Sequence, residues 1–138
     1  MPHCCTRTAA ATSTTTMTAS LPTHALNCAT DAAATYAAFL GAIAARDFER
    51  IDELATERLR AELRGMRSCA SFPALFDMWC ESYPKSAKSV PVRCDEQIAI
   101  LDMRGEVDGE SVNAQVLLRR VDGHWRVDKE HFRCGMRC

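Results

Sequence analysis

The side chains best suited to chemistry lie near the C-terminal end of the chain: Lys129 and His131, with Cys134 and Cys138 behind them. Lys129 and His131 alternate in step with Trp125 and Val127, so a strand here turns all four to one face. Titratable groups on an apolar face need a partner or water, which makes these two the most informative polar residues of the sequence. The run His131-x2-Cys134-x3-Cys138, with Cys94, offers nitrogen and sulfur ligands of the kind that zinc takes. It lacks the paired CxxC knuckles of structural zinc sites, so the expectation is a tail with free thiols and no metal. A cysteine nucleophile would have only His131, beside Cys134, to activate it.

These groups are positioned by two Asp-Gly turns. Asp122–Gly123 separates two alternating runs, the signal of a hairpin whose type I′ turn needs positive φ at both central residues. The pairing that follows sets Val121 opposite His124, Arg120 opposite Trp125 and Leu118 opposite Val127. It continues with Val116 opposite Lys129 and Ala114 opposite His131. The earlier turn, Asp108–Gly109, pairs Met103 with Ala114, Leu101 with Val116 and Ala99 with Leu118. One face of this three-stranded meander is apolar throughout, from Ala99, Leu101 and Met103 to Trp125 and Val127. The other carries Asp102, Arg104, Asn113, Gln115, Arg119, Arg126, Asp128 and Glu130. A slip of one residue would exchange the faces. Something must cover the apolar side.

With 138 residues the chain is expected to form one domain. Its net charge of -1 counts against nucleic acid as a partner, because phosphate neutralisation needs a clustered basic face. Lys85 and Lys88, in a Ser-rich connector, read as solvated. No apolar run approaches the roughly 18 residues of a membrane span, so no membrane partner is expected. Eight cysteines would point to a disulfide framework in a secreted chain. Residues 1–20 have no continuous apolar stretch of the kind a secretory leader carries. The expectation is therefore a cytoplasmic protein with reduced thiols, most of them small buried hydrophobes.

Residues 1–26 are rich in Thr and Ala, lack periodicity and are expected to be disordered, with Met17 as an alternative start. A helix is expected over 31–45, with Thr30 as N-cap and Tyr36, Phe39, Leu40 and Ile43 as its apolar stripe. Asp47 caps a short second helix that buries Phe48, Ile51 and Leu54. Thr56 opens a third, in which Leu59, Leu63 and Met66 share a face. Ser71 caps a fourth, which ends at Tyr83–Pro84. Its stripe of Phe72, Leu75, Phe76, Trp79 and Tyr83 is the most aromatic surface of the chain. Residues 90–95 alternate weakly and make a first strand, confined to an edge by Pro91. Helices followed by an antiparallel sheet define an α+β domain over 27–133, its helices on the sheet's apolar face, with 134–138 as a short tail.

The segment AARDFERIDELA after the first helix, then FPALFDMWCESYP, then the closing DGHWRVDKE, together resemble the nuclear transport factor 2-like superfamily over residues 31–132. The resemblance implies a cystatin-like cone, a curved sheet wrapped around a long helix with a pocket at its open end. In such a cone Lys129 and His131 line the pocket, Tyr36, Trp79 and Tyr83 form the opposite walls, Met103 joins them from the sheet, and a small apolar ligand fits between. Isomerases, dehydratases and polyketide cyclases of this superfamily use an Asp or His inside the cone as general acid or base, often with a Tyr donor. Only His131 is placed inward here, so it is the one candidate catalytic residue, with Tyr36 or Tyr83 as donor. No cofactor is implied.

On the outer face Ile98, Ile100 and Leu117 form a small apolar patch rimmed by Arg119, Arg126 and Asp128. Members of the superfamily often dimerise through that surface, and a homodimer is expected. Three functions stay open. The leading one is a binding or accessory module for a small apolar ligand or a protein partner. The second is an isomerase-, dehydratase- or cyclase-like enzyme with His131 as base. The third is a structural dimer whose cone is filled by Phe76, Trp79 and Met103.

Overall fold

The computed structural model describes residues 23–133, with side chains from Cys28 onward. Helix α1 spans Thr23–Ala44, α2 Phe48–Glu53, α3 Glu57–Arg67 and α4 Phe72–Glu81. The Ala-rich stretch around Thr30 favours helix strongly, so α1 runs through Thr30 and begins at Thr23; Thr30 is not its cap. Its buried stripe is Ala32, Tyr36, Phe39 and Ile43. The Asp47 carboxylate caps α2 by accepting from the Arg50 backbone N–H at 3.1 Å. The Thr56 hydroxyl caps α3 by accepting from the Leu59 N–H at 3.3 Å. Ser71 sits at the cap position of α4, yet its side chain makes no capping bond; a proline in the first turn sets that entry instead.

Four strands follow: β1 (Ala87–Cys94), β2 (Ile98–Val107), β3 (Glu110–Val121) and β4 (His124–Arg133). They pair antiparallel in the order β1-β2-β3-β4, which puts Pro91 on an edge strand as expected. Both Asp-Gly turns form with positive φ, 53° and 82° at Asp108 and Gly109, 51° and 81° at Asp122 and Gly123. Every expected β2–β3 pair is present, including Met103 with Ala114 and Leu101 with Val116. Four helices and then a four-stranded antiparallel sheet make the described chain an α+β fold. Helix α1 packs against β1, β2 and β4, and the core lies between them.

The β3–β4 ladder corrects the expected register halfway along. From the turn it runs as expected to Leu118 opposite Val127, and then Asp128 is skipped: the next pair is Leu117 with Lys129. Beyond this bulge Val116 faces Glu130, Gln115 faces His131 and Ala114 faces Phe132. Lys129 and His131, expected on the inner face, are therefore exposed on the outer one, and Glu130 and Phe132 take their places inside.

The bulge has a visible anchor. Asp128 is only 3% exposed. It accepts from the Thr56 hydroxyl at 2.6 Å and from Arg119 Nε at 3.2 Å, with Arg58 Nε 3.5 Å away. Arg58 also donates to the Asp128 backbone carbonyl. Alongside, the Thr56 N–H donates to the Val127 carbonyl at 2.9 Å and the Val127 N–H to the Leu54 carbonyl at 2.7 Å. The junction between α2 and α3 is thus laid on the edge of β4 as a short parallel bridge, which pairs both backbone groups of Val127 beside the bulge.

A second correction concerns the thiols. Cys28 on α1 and Cys94 at the end of β1 are joined in a disulfide, with Cα atoms 6.4 Å apart, where reduced side chains are expected. Among the described residues Cys80 is a buried free thiol and Cys69 an exposed one. Cys134, Cys138 and residues 1–22 lie outside the described residues.

Two outcomes follow for stability. Burial pushes the Asp128 carboxyl up, but the Thr56 hydroxyl and the Arg119 and Arg58 guanidiniums outweigh it, and the group sits below the ordinary Asp value. Its contribution is therefore present above the ordinary carboxylate range and lost as pH falls through the lowered value. Urea titrations of Asp128→Ala should show a loss of about 1–3 kcal/mol at neutral pH, narrowing as the solution is acidified. Reducing the Cys28–Cys94 bond, which closes a loop with a sequence separation of 66, should cost about 2–4 kcal/mol in the same assay.

Candidate functional site

The inner face of the sheet carries one carboxyl among apolar neighbours, and two helical segments supply its partners. Glu130 stands opposite Val116, which in turn lies opposite Leu101. Tyr36, fully buried on α1, donates from its hydroxyl to Glu130 Oε2 at 2.7 Å. Tyr83, two residues beyond α4 and 6% exposed, donates to Oε1 at 2.5 Å. The carboxyl is thus gripped from both sides by phenols from two different parts of the helical layer. Among the described residues no cation acts on it.

Electrostatics follow from that enclosure. Burial pushes the Glu130 carboxyl above the ordinary Glu value, and the two phenol hydrogen bonds pull it only part of the way back. Burial, then the adjacent negative charge, drives both phenols far above the ordinary Tyr value. Both tyrosines therefore stay protonated donors to the carboxyl.

Aromatic side chains wall this cluster. The Tyr83 ring meets Trp79 edge-on at 5.0 Å and Phe132 edge-on at 5.5 Å, both of them half-buried. Trp79 stacks on Phe76 at 6.1 Å, which continues to Phe72 and Phe48. Met103, fully buried, lies diagonal to Glu130 on the sheet. A cavity of about 30 Å³ touches Tyr83, between Leu40, Ile43, Cys80 and Pro84; that is room for a water, not for a ligand.

Of the residues singled out in the sequence, Tyr36, Trp79 and Tyr83 come together here and Met103 lies beneath them. Lys129 and His131 do not: both project from the opposite face. A base at position 131 inside the fold is therefore corrected by the bulge. Glu130 and Phe132 were missed for the same reason, although one signal existed. The apolar residues of β4 switch from odd positions, Trp125 and Val127, to an even one, Phe132, and only an inserted residue reconciles the two. Cys94 is held in the disulfide and is no free thiolate ligand. Among the described residues no cluster of His, Cys, Asp and Glu could hold a metal ion, and no helix is long and apolar enough to cross a membrane.

No protein-family model matches the chain, and no curated protein does either.

Glu130→Gln tests the buried carboxyl. Because the folded value is raised, the group's contribution is fully present below the ordinary carboxylate range and is lost as pH rises through the raised value. Thermal unfolding from about pH 4 to about pH 7 should show the variant gaining on the native protein as pH rises. A difference that stays flat across that range would leave Glu130 with an ordinary pKa.

Proposed function

We propose that the chain is a binding module of the nuclear transport factor 2-like, cone-shaped type, and that it receives a small, mainly apolar ligand with one hydrogen-bond donor against Glu130. One observation carries the reading: an inward carboxyl with no cation partner among the described residues, held between Tyr36 and Tyr83 beside half-buried aromatic rings. A carboxylate offers about four acceptor positions. The phenols fill two, and a ligand hydroxyl or amine takes a third. Trp79 and Phe132 are half-buried, so access past them displaces two rings and leaves the fully buried core in place. The long helix α1 lying on a four-stranded antiparallel meander supports the cone.

A second reading, proton transfer in an isomerase- or dehydratase-like enzyme, is favoured by the raised Glu130 carboxyl and its two phenol donors. Such a set can take up and return a proton at carbon while a phenol holds a developing oxyanion. In this reading Glu130 replaces His131 as the acid or base. The Cys28–Cys94 disulfide bears on the setting and weighs against a reducing cytoplasm.

The binding reading is tested with 2-naphthol and naphthalene, which share an apolar body and differ in one hydroxyl. Amide chemical shifts should move at Tyr83, Glu130 and Phe132, with 2-naphthol binding about tenfold more tightly, as a hydrogen bond to a charged acceptor allows. Glu130→Gln should shrink that advantage. Equal affinity of the two probes, or shifts centred elsewhere, rejects the site.

A further inference from the structure

The register that turns Glu130 inward also gathers positive charge on the opposite face. In one row crossing the sheet stand Lys88, Arg104 and Arg133, with only Asn113 among them. Lys88 lies directly opposite Arg104, a like-charge cross-strand pair that costs stability. Two rows on, Arg93 and Lys129 flank Ile100 and Leu117. The one carboxylate between those rows is Asp102, and Arg133 holds it at 3.3 Å; Glu106 lies beyond, toward the Asp108–Gly109 turn. Lys88, Arg104 and Lys129 have no carboxylate partner among the described residues, and all three are exposed. The whole chain has a net charge of -1, so this face is basic by segregation, not by composition.

The middle of the face is apolar. Val90, 59% exposed, sits beside Asp102, and Ile100 and Leu117 face each other across the next row. An apolar centre with a charged rim is the anatomy of a protein interface. Across these rows one aromatic ring, the His131 imidazole opposite Gln115, is turned outward, and a single ring makes no platform for stacking successive nucleic-acid bases. A second copy of the chain brings the same sign of charge, which opposes the homodimer expected through this surface. Residues 1–22 and 134–138 contain no Asp or Glu side chain.

We propose that the outer sheet face docks a protein segment in which carboxylates surround apolar side chains. The rows of Lys and Arg pair with its Asp and Glu residues, and Val90, Ile100 and Leu117 take its apolar ones. The inference does not depend on a ligand at Glu130, which lies on the other side of the sheet.

Fluorescence anisotropy with a labelled synthetic peptide alternating Glu and Val is the direct test, run beside a peptide alternating Lys and Val. The first should bind and the second should not. Raising salt to about 0.5 M should weaken binding about tenfold or more, since exposed charges carry the encounter. The triple variant Lys88→Glu, Arg104→Glu, Lys129→Glu changes only exposed positions and should abolish binding with the circular dichroism spectrum and the Glu130 pH dependence unchanged. Undiminished peptide binding in that variant overturns the proposal. So does tighter binding of single-stranded DNA or phosphatidylserine vesicles than of the peptide, and so does a dimer of the native protein that the triple variant abolishes.

Discussion

A single skipped residue, Asp128, sets the chemistry of both faces of the sheet. Its carboxylate is the meeting point of Thr56, Arg119 and Arg58, and those contacts hold a bulge that would otherwise cost an unpaired stretch of ladder. Up to Val127 the strand obeys simple alternation from the turn. After Asp128 every side chain is on the other face. A strand without the bulge would bury Lys129 and His131, two titratable groups, against Val116 and Ala114 and leave Phe132 in water. The bulge exchanges that arrangement for one carboxyl with two donors, and the exchange is favourable because one satisfied acceptor costs less to bury than two unsatisfied polar side chains.

Asp128 and Glu130 are two residues apart on one strand and are driven in opposite directions. Asp128 meets two guanidiniums and a hydroxyl, so its charged form is favoured despite burial. Glu130 meets only phenols, which donate without neutralising, and burial wins. The first carboxylate is spent on architecture: it holds the α2–α3 junction against β4. The second has only neutral donors among the described residues, Tyr36 and Tyr83, so the cost of burying its charged form is offset only in part. Two carboxyls on one strand are thus split by their environments, cations and a hydroxyl around the one and burial with neutral phenols around the other.

What the sequence made legible was whatever is decided within a few residues. The Asp-Gly turns, the caps at Asp47 and Thr56, and the β2–β3 pairing all depend on local φ preference and two-residue periodicity, and all are present as expected. Thr30 does not cap a helix because the alanines around it carry the helix through that position. The Asp128 bulge and the Cys28–Cys94 bond rest on partners remote in sequence, Thr56 and Arg58 for the one and a separation of 66 residues for the other. The change of parity at Phe132 marks that a residue is inserted, but no local pattern names the partners that hold it. Tyr36, Trp79 and Tyr83 were recoverable as helix-stripe aromatics, whereas the carboxyl that unites two of them was hidden by the register change.

The two faces are coupled through that same register. Because side chains alternate, a strand cannot move Glu130 into the interior without moving Lys129 and His131 out. Lys129 then lands beside Leu117, at the end of a row that already holds Arg93, and Arg133 joins the row of Lys88 and Arg104. A basic outer face is thus the geometric complement of an acidic inner site on the last strand. Selection on either face constrains the other, and the residue on which both turn is the aspartate that belongs to neither.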